Sequence, residues 1–87
     1  LEIKDIWDYF IMQDGRCAFT NLILGFAPKY RNDLQLQTAS LDRIDSSKGY
    51  VKNNVQWVHK TINIMKQAQS NEEFIKLCRD ITNYDIN

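Results

Sequence analysis

Residues 35–66 read QLQTASLDRIDSSKGYVKNNVQWVHKTINIMK, and the fold turns on how this stretch divides. Leu36, Thr38, Leu41 and Ile44 alternate well enough to predict a strand from Gln35 to Asp45, and Val55-Gln56-Trp57-Val58 predicts a second. The intervening run from Ser46 to Asn54 is too long and too polar for a tight turn, so it reads as a loop with a task. Past Val58, the residues Ile62, Met65 and Lys66 support a short helix from about Lys60 to Ala68. Polar side chains gather where these elements meet: Asp42 near the end of the first strand, Asn54 at the start of the second, His59 at the junction of strand and helix, and Asn63 one turn into the helix.

Upstream, Ile3, Ile6, Trp7, Phe10 and Ile11 fall at the spacing of a helix with one buried stripe, and Asp14-Gly15 stops it. Cys17-Ala18-Phe19-Thr20 and Leu22-Ile23-Leu24 are short β-prone runs suited to a small hairpin, with Gly25 and Pro28 marking the loop that follows. Downstream, Ser70-Asn71-Glu72-Glu73 has the pattern in which serine and glutamate each satisfy an orphan backbone donor at a helix start. The last helix it announces has a stripe of Phe74, Ile75, Cys78 and Ile81, so Cys78 reads as a small core residue. Trp7 and Trp57 read as core, and Tyr50 after Gly49 as a lid over the hairpin.

The 87 residues make one small domain of α+β class, too short for a cofactor-binding fold with a separate substrate domain. With 44% hydrophobic and 25% charged residues, three Gly and one Pro, the composition is that of an ordinary globular chain. No apolar run approaches the roughly 18–20 residues that span a bilayer, so no membrane role is expected. The chain shows no secretory leader and starts at Leu1 without a Met, as a piece trimmed from something longer would. Cys17 and Cys78 form no paired spacing, which disfavours a disulfide scaffold or zinc knuckle and makes a reducing cytoplasm the default.

Eleven basic and eleven acidic residues cancel, but not locally. Residues 24–66 carry Lys29, Arg31, Arg43, Lys48, Lys52, Lys60 and Lys66 against Asp33, Asp42 and Asp45, a segment of +4, whereas each flank is −2. A basic middle between acidic ends suits a polyanion-facing side on a neutral body. Lys48 and Lys52, carried on the loop, are the best phosphate contacts. If the strand pair packs on the short helix, Asp42 and Asn63 approach each other. A carboxylate oxygen facing an amide oxygen, with room for water, suits Mg²⁺, which takes few protein ligands. Read without any family pattern, Asp42 and Asp45 cap the loop through Asx-type hydrogen bonds, and a buried hydrogen bond suffices to explain Asn63 within a helix.

Taken as a set, Ser40-Leu41-Asp42-Arg43-Ile44-Asp45, Gly49-Tyr50, Asn54-Val55-Gln56-Trp57-Val58 and Asn63-Ile64-Met65-Lys66 resemble the HNH, or His-Me finger, nucleases over about residues 16–66. The resemblance implies a ββα-metal finger, at about residues 36–68, flanked by an N-terminal helix with short hairpin and a C-terminal helix. It implies divalent-metal-dependent hydrolysis of DNA phosphodiester bonds, with Asp42 and Asn63 as ligands of Mg²⁺, Mn²⁺ or another divalent ion. Asn54 matches the central Asn that braces the loop and orients the catalytic histidine. Lys66 matches a basic residue placed to meet a phosphate, and Arg43, Lys60 and Lys66 would neutralise the strand.

This chain departs from that pattern at two places. Arg43 stands where the family has its water-activating histidine; a guanidinium does not deprotonate in proteins, so its expected part is to clamp the phosphate or stabilise transition-state charge. Relatives often carry two C-x-x-C pairs, and here those places read Cys17-Ala18-Phe19-Thr20 and His59-Lys60-Thr61-Ile62, so no structural zinc is expected and packing of the outer helices takes over. His59, the only histidine, either makes a structural contact with Cys17 or a backbone carbonyl, or reaches the metal-bound water in place of the missing base. A third option uses no protein base, the proton passing to Asp45 or solvent. The expected partner is DNA, with sequence choice left to another domain or subunit, in the cytoplasm of a bacterial or phage-infected cell. The alternatives are a catalytically impaired HNH-like nucleic-acid-binding module, and a protein-interaction domain that would leave the polar cluster idle.

Overall fold

The computed structural model of the chain describes residues 1–27 and 37–84. Within them, three helices and a two-stranded antiparallel sheet follow in the order α1 (Ile3–Met12), β1 (Ala39–Arg43), β2 (Val55–His59), α2 (Lys60–Lys66) and α3 (Asn71–Asn83), a small α+β arrangement. Pro28, Gln35 and Leu36, where the sequence places a loop marker and the start of the first strand, lie outside the described residues. Among the described residues no helix is long and apolar enough to cross a membrane.

The register pairs Ala39 with His59, Leu41 with Trp57 and Arg43 with Val55, alternating with Ser40 opposite Val58 and Asp42 opposite Gln56. Because side chains alternate along a strand, these two sets occupy opposite faces of the sheet. On the first face Trp57 is buried beneath α1. It stacks on Trp7 with centroids 5.8 Å apart and meets Phe10 and Phe26 edge-on at 5.5 and 5.6 Å. Its indole Nε1 donates to the Ile6 carbonyl at 2.9 Å, which satisfies the buried polar tip that a tryptophan brings into a core. Both tryptophans are packing residues, although Trp7 keeps part of its ring exposed.

α1 stops because Asp14 and Gly15 take positive φ values of 55° and 66°, letting the Gly15 N–H reach back to the Phe10 carbonyl at 3.0 Å. A Cβ on Gly15 would come within 3.3 Å of the Phe10 ring. The expected hairpin at residues 17–24 is instead a tight loop with a single bridge, Arg16 to Ile23. Asn21, at φ 62°, turns the chain so sharply that its own N–H and that of Cys17 close the loop, on the Cys17 and Leu22 carbonyls respectively, and Leu22 and Ile23 stay exposed. β1 also ends earlier than predicted: Ile44 still donates to the Asn54 carbonyl at 2.9 Å, but Asp45 turns the chain by accepting from the Ser47 N–H and hydroxyl at 2.9 and 2.7 Å. α2 ends at Lys66, two residues before Ala68, where Gln67 adopts φ 50°.

α3 begins as its capping box requires, with Ser70 accepting from the Glu73 N–H and Glu73 from the Ser70 N–H, both at 3.1 Å. The expected four-residue stripe is corrected, because only its first turn docks. Phe74 is buried edge-on against Phe19 at 5.3 Å, whereas Ile81 is 62% exposed and the helix runs past the core. Packing of the outer helices is therefore unequal: α1 covers a face of the sheet, and α3 contributes chiefly Phe74.

Candidate active site

The second face of the sheet, with Asp42 and Gln56 side by side, meets α2. There an open cleft of about 560 Å³ is walled by Ser40, Asp42 and Arg43 from β1, Tyr50 from the loop, and Lys60 and Asn63 from α2. Asp42 and Asn63, brought together by the register of a strand and the turn of a helix, line this one cleft.

Asp42 is only 4% exposed and Lys66 is fully buried beside it. The Lys66 ammonium lies 2.7 Å from Asp42 Oδ2 and also donates to the Arg43 carbonyl. Gln56 Nε2 donates to the same Oδ2 at 2.9 Å. Gln56 is held in turn by Asn71 at the start of α3, donating to its Oδ1 at 3.0 Å and accepting from its Nδ2 at 3.3 Å. Both bonds from described residues to the Asp42 carboxylate land on Oδ2, Oδ1 accepts none from them, and Asp42 forms part of the cleft wall. Asn63 Nδ2 donates to Ser40 Oγ at 2.7 Å and to the Leu41 carbonyl at 3.3 Å, so its amide oxygen, which accepts from none of the described residues, is the atom available to a ligand.

Three residues expected at the chemistry sit differently. Lys66 does not present to a phosphate: it is the interior partner of Asp42, because the last turn of α2 points it across the sheet. Asn54 braces the loop, accepting from the Asp45 N–H at 2.9 Å and donating to the Asp45 and Gly49 carbonyls at 3.0 and 2.8 Å. Among the described residues its side-chain bonds all go to loop backbone and none to another side chain. His59 caps α2, its Nδ1 accepting from the Thr61 N–H at 3.1 Å, while its backbone N–H donates to the buried Cys17 Sγ at 3.4 Å. Cys17 and His59 thus meet through a sulfur–backbone contact, and the imidazole lies outside the cleft wall.

Arg43 reaches over the loop, donating to the Ser46 and Lys48 carbonyls at 3.1 and 3.4 Å, with its guanidinium 5.5 Å from the Tyr50 ring centroid. The lid expected at Tyr50 is in this sense a shelf for Arg43. Asp45 shows the Asx turn read from its type: hydrogen bonds from the Ser47 hydroxyl and N–H hold its carboxyl below the ordinary value, and it lines a different depression. The basic contacts divide as well. Lys60 is in the cleft wall and Lys48 is exposed on the loop, but Lys52 turns away to Asp5 on α1, 3.7 Å distant.

Sequence reading passed over Ser40, Gln56 and Asn71. Only the pairing of Asp42 with Gln56 was available as a signal, and it needs the register. Among the described residues no three His, Cys, Asp or Glu side chains gather around one point. The donor set that the cleft does offer, one carboxylate oxygen and one amide oxygen, fits a hard cation that keeps most of its water. Comparison with family models, with curated proteins and with solved structures returned no match.

Proposed function

We propose that this chain is a divalent-metal-dependent endonuclease that hydrolyses DNA phosphodiester bonds, with β1, β2 and α2 forming a ββα-metal finger. The observation that carries this reading is the meeting of Asp42, Asn63, Arg43 and Lys60 in one cleft. Asp42 Oδ1 and Asn63 Oδ1 would hold Mg²⁺ or Mn²⁺, which when bound supplies Lewis acidity to the phosphate and lowers the pKa of its water. Arg43 would donate to a non-bridging phosphate oxygen and stabilise the charge that builds there, as a planar donor fork does. Arg43 accepts no proton, and neither His59 nor Asp45 lines the cleft, so the attacking water gives its proton to solvent. DNA sequence choice falls to another domain or subunit.

A second reading, a nucleic-acid-binding module without turnover, is favoured by one observation: a guanidinium fills the place of the base. Supercoiled plasmid with Mg²⁺ or Mn²⁺ separates the two. The nuclease reading expects nicked or linear product, lost in EDTA and reduced at least ~100-fold in Asn63→Ala, a size set by losing one charge-stabilising contact. Salt-sensitive DNA binding with no product supports the module, and cleavage indifferent to EDTA contradicts the metal site.

A further inference from the structure

Lys66 is the only cation with no solvent exposure among the described residues, and it lies against Asp42 just behind the cleft wall. Burying an ion pair brings no stability over an apolar pair of the same shape, so its charge calls for a role in the cleft. The ammonium, 2.7 Å from Asp42 Oδ2, already supplies the positive charge that a metal would otherwise bring to that carboxylate. The Arg43 guanidinium adds a second positive charge, and the acceptors it meets, Ser46 and Lys48, are neutral carbonyls. Asp45, the carboxylate of the adjoining loop, is committed to Ser47 and faces another depression. Among the described residues, Asp42, Arg43 and the Lys66 behind them together carry a charge of +1. A dication arriving alone is repelled there, whereas a phosphodiester is attracted and brings the negative charge a dication needs.

Resting on the nuclease reading, we infer that Lys66 is a positioning residue: the internal counter-ion that holds Asp42 with Oδ1 toward the cleft and makes divalent-cation binding conditional on a phosphodiester already seated. By linkage, DNA must then raise the affinity for cation by the same factor as cation raises the affinity for DNA. Two measurements test this, neither of them activity.

Free Mn²⁺ counted by electron paramagnetic resonance should show the unaltered chain alone binding no tighter than millimolar, and Lys66→Met binding at least ~10-fold tighter as the repelling charge is removed. Lys66→Arg, which keeps the charge, should stay weak. Fluorescence anisotropy of a labelled 12-base-pair duplex should show affinity at least ~10-fold higher in Ca²⁺ than in EDTA; this arm uses only the unaltered chain and decides the matter if Lys66→Met does not fold. Submillimolar Mn²⁺ binding by the unaltered chain alone, no gain in Lys66→Met, or equal duplex affinity with and without Ca²⁺ would overturn the inference. Plasmid cleavage by a chain that holds Mn²⁺ tightly without DNA removes this inference alone. Absence of duplex binding under both conditions removes the nuclease reading with it.

Discussion

The two faces of the β1–β2 sheet are only a strand's thickness apart and are held by different physics. On one, Trp57 packs among Trp7, Phe10 and Phe26 with its single polar atom satisfied by a backbone carbonyl. On the other, Asp42, Gln56, Lys66 and Asn71 form a chain of hydrogen bonds around a buried ion pair. The first arrangement gains from area removed from water and tolerates small shifts. The second is right only when every partner is present, because an unpaired group in a dry place is expensive. The aromatic cluster thus lies under α1, and the proposed metal site on the side where the sheet meets α2.

Breaking each face should expose that contrast. The largest effects are expected from Trp57→Ala and Asp42→Ala, each costing about 3–5 kcal/mol, through a cavity in the first case and an abandoned ammonium in the second. The faces differ in rescue. Replacing the pair together, Asp42→Leu with Lys66→Met, should recover the fold to within about 1 kcal/mol of the unaltered chain while cleavage stays lost. Urea unfolding of the single and double variants checks this; a double variant as unstable as Asp42→Ala would mean the ion pair is itself a source of stability.

Asn54→Ala should cost about 1–3 kcal/mol, since it strands the Asp45 N–H and two loop carbonyls. Amide hydrogen exchange should locate the loss in the loop between β1 and β2 and spare the aromatic face.

The smallest effect concerns acid. Ser47 holds the Asp45 carboxyl below its ordinary value of 3.8, so the contact stabilises the fold above about that pH and is lost as pH falls through the lowered value. Ser47→Ala should therefore be slightly less stable than the unaltered chain at pH 6 and indistinguishable near pH 2, a gap that chemical unfolding at the two pH values reads directly. Because Asp45 is only partly buried, solvent screens the contact and the gap is small.

What could be read in the sequence follows from how local each signal is. The capping box at Ser70 and the Asp14-Gly15 stop depend on neighbours a few positions away, and both take the expected form. The two strands and the helix after them were legible because apolar alternation passes into helical spacing at His59. The burial of Lys66 was not, since a lysine is ordinarily a surface residue and only the turn of α2 over β1 brings it to Asp42. Gln13 was equally silent. Its side chain accepts from the Trp57 N–H and donates to the Trp57 carbonyl, both at 2.9 Å, so it acts as a strand fragment on the open edge of β2. No periodicity announces a contact across 44 positions. The stripe on α3 misled for the converse reason: helical spacing shows which residues share a face, and says nothing of whether a partner covers it.

The central claim is that Asp42 and Asn63 share one cation when DNA is bound. Diffraction at the manganese absorption edge, from crystals grown with Mn²⁺ and a short duplex, tests it most directly. The expected result is a single anomalous peak about 2.0–2.3 Å from both Asp42 Oδ1 and Asn63 Oδ1, the range for a hard divalent ion on oxygen. A map with duplex in the cleft and no manganese between those two oxygens would contradict it.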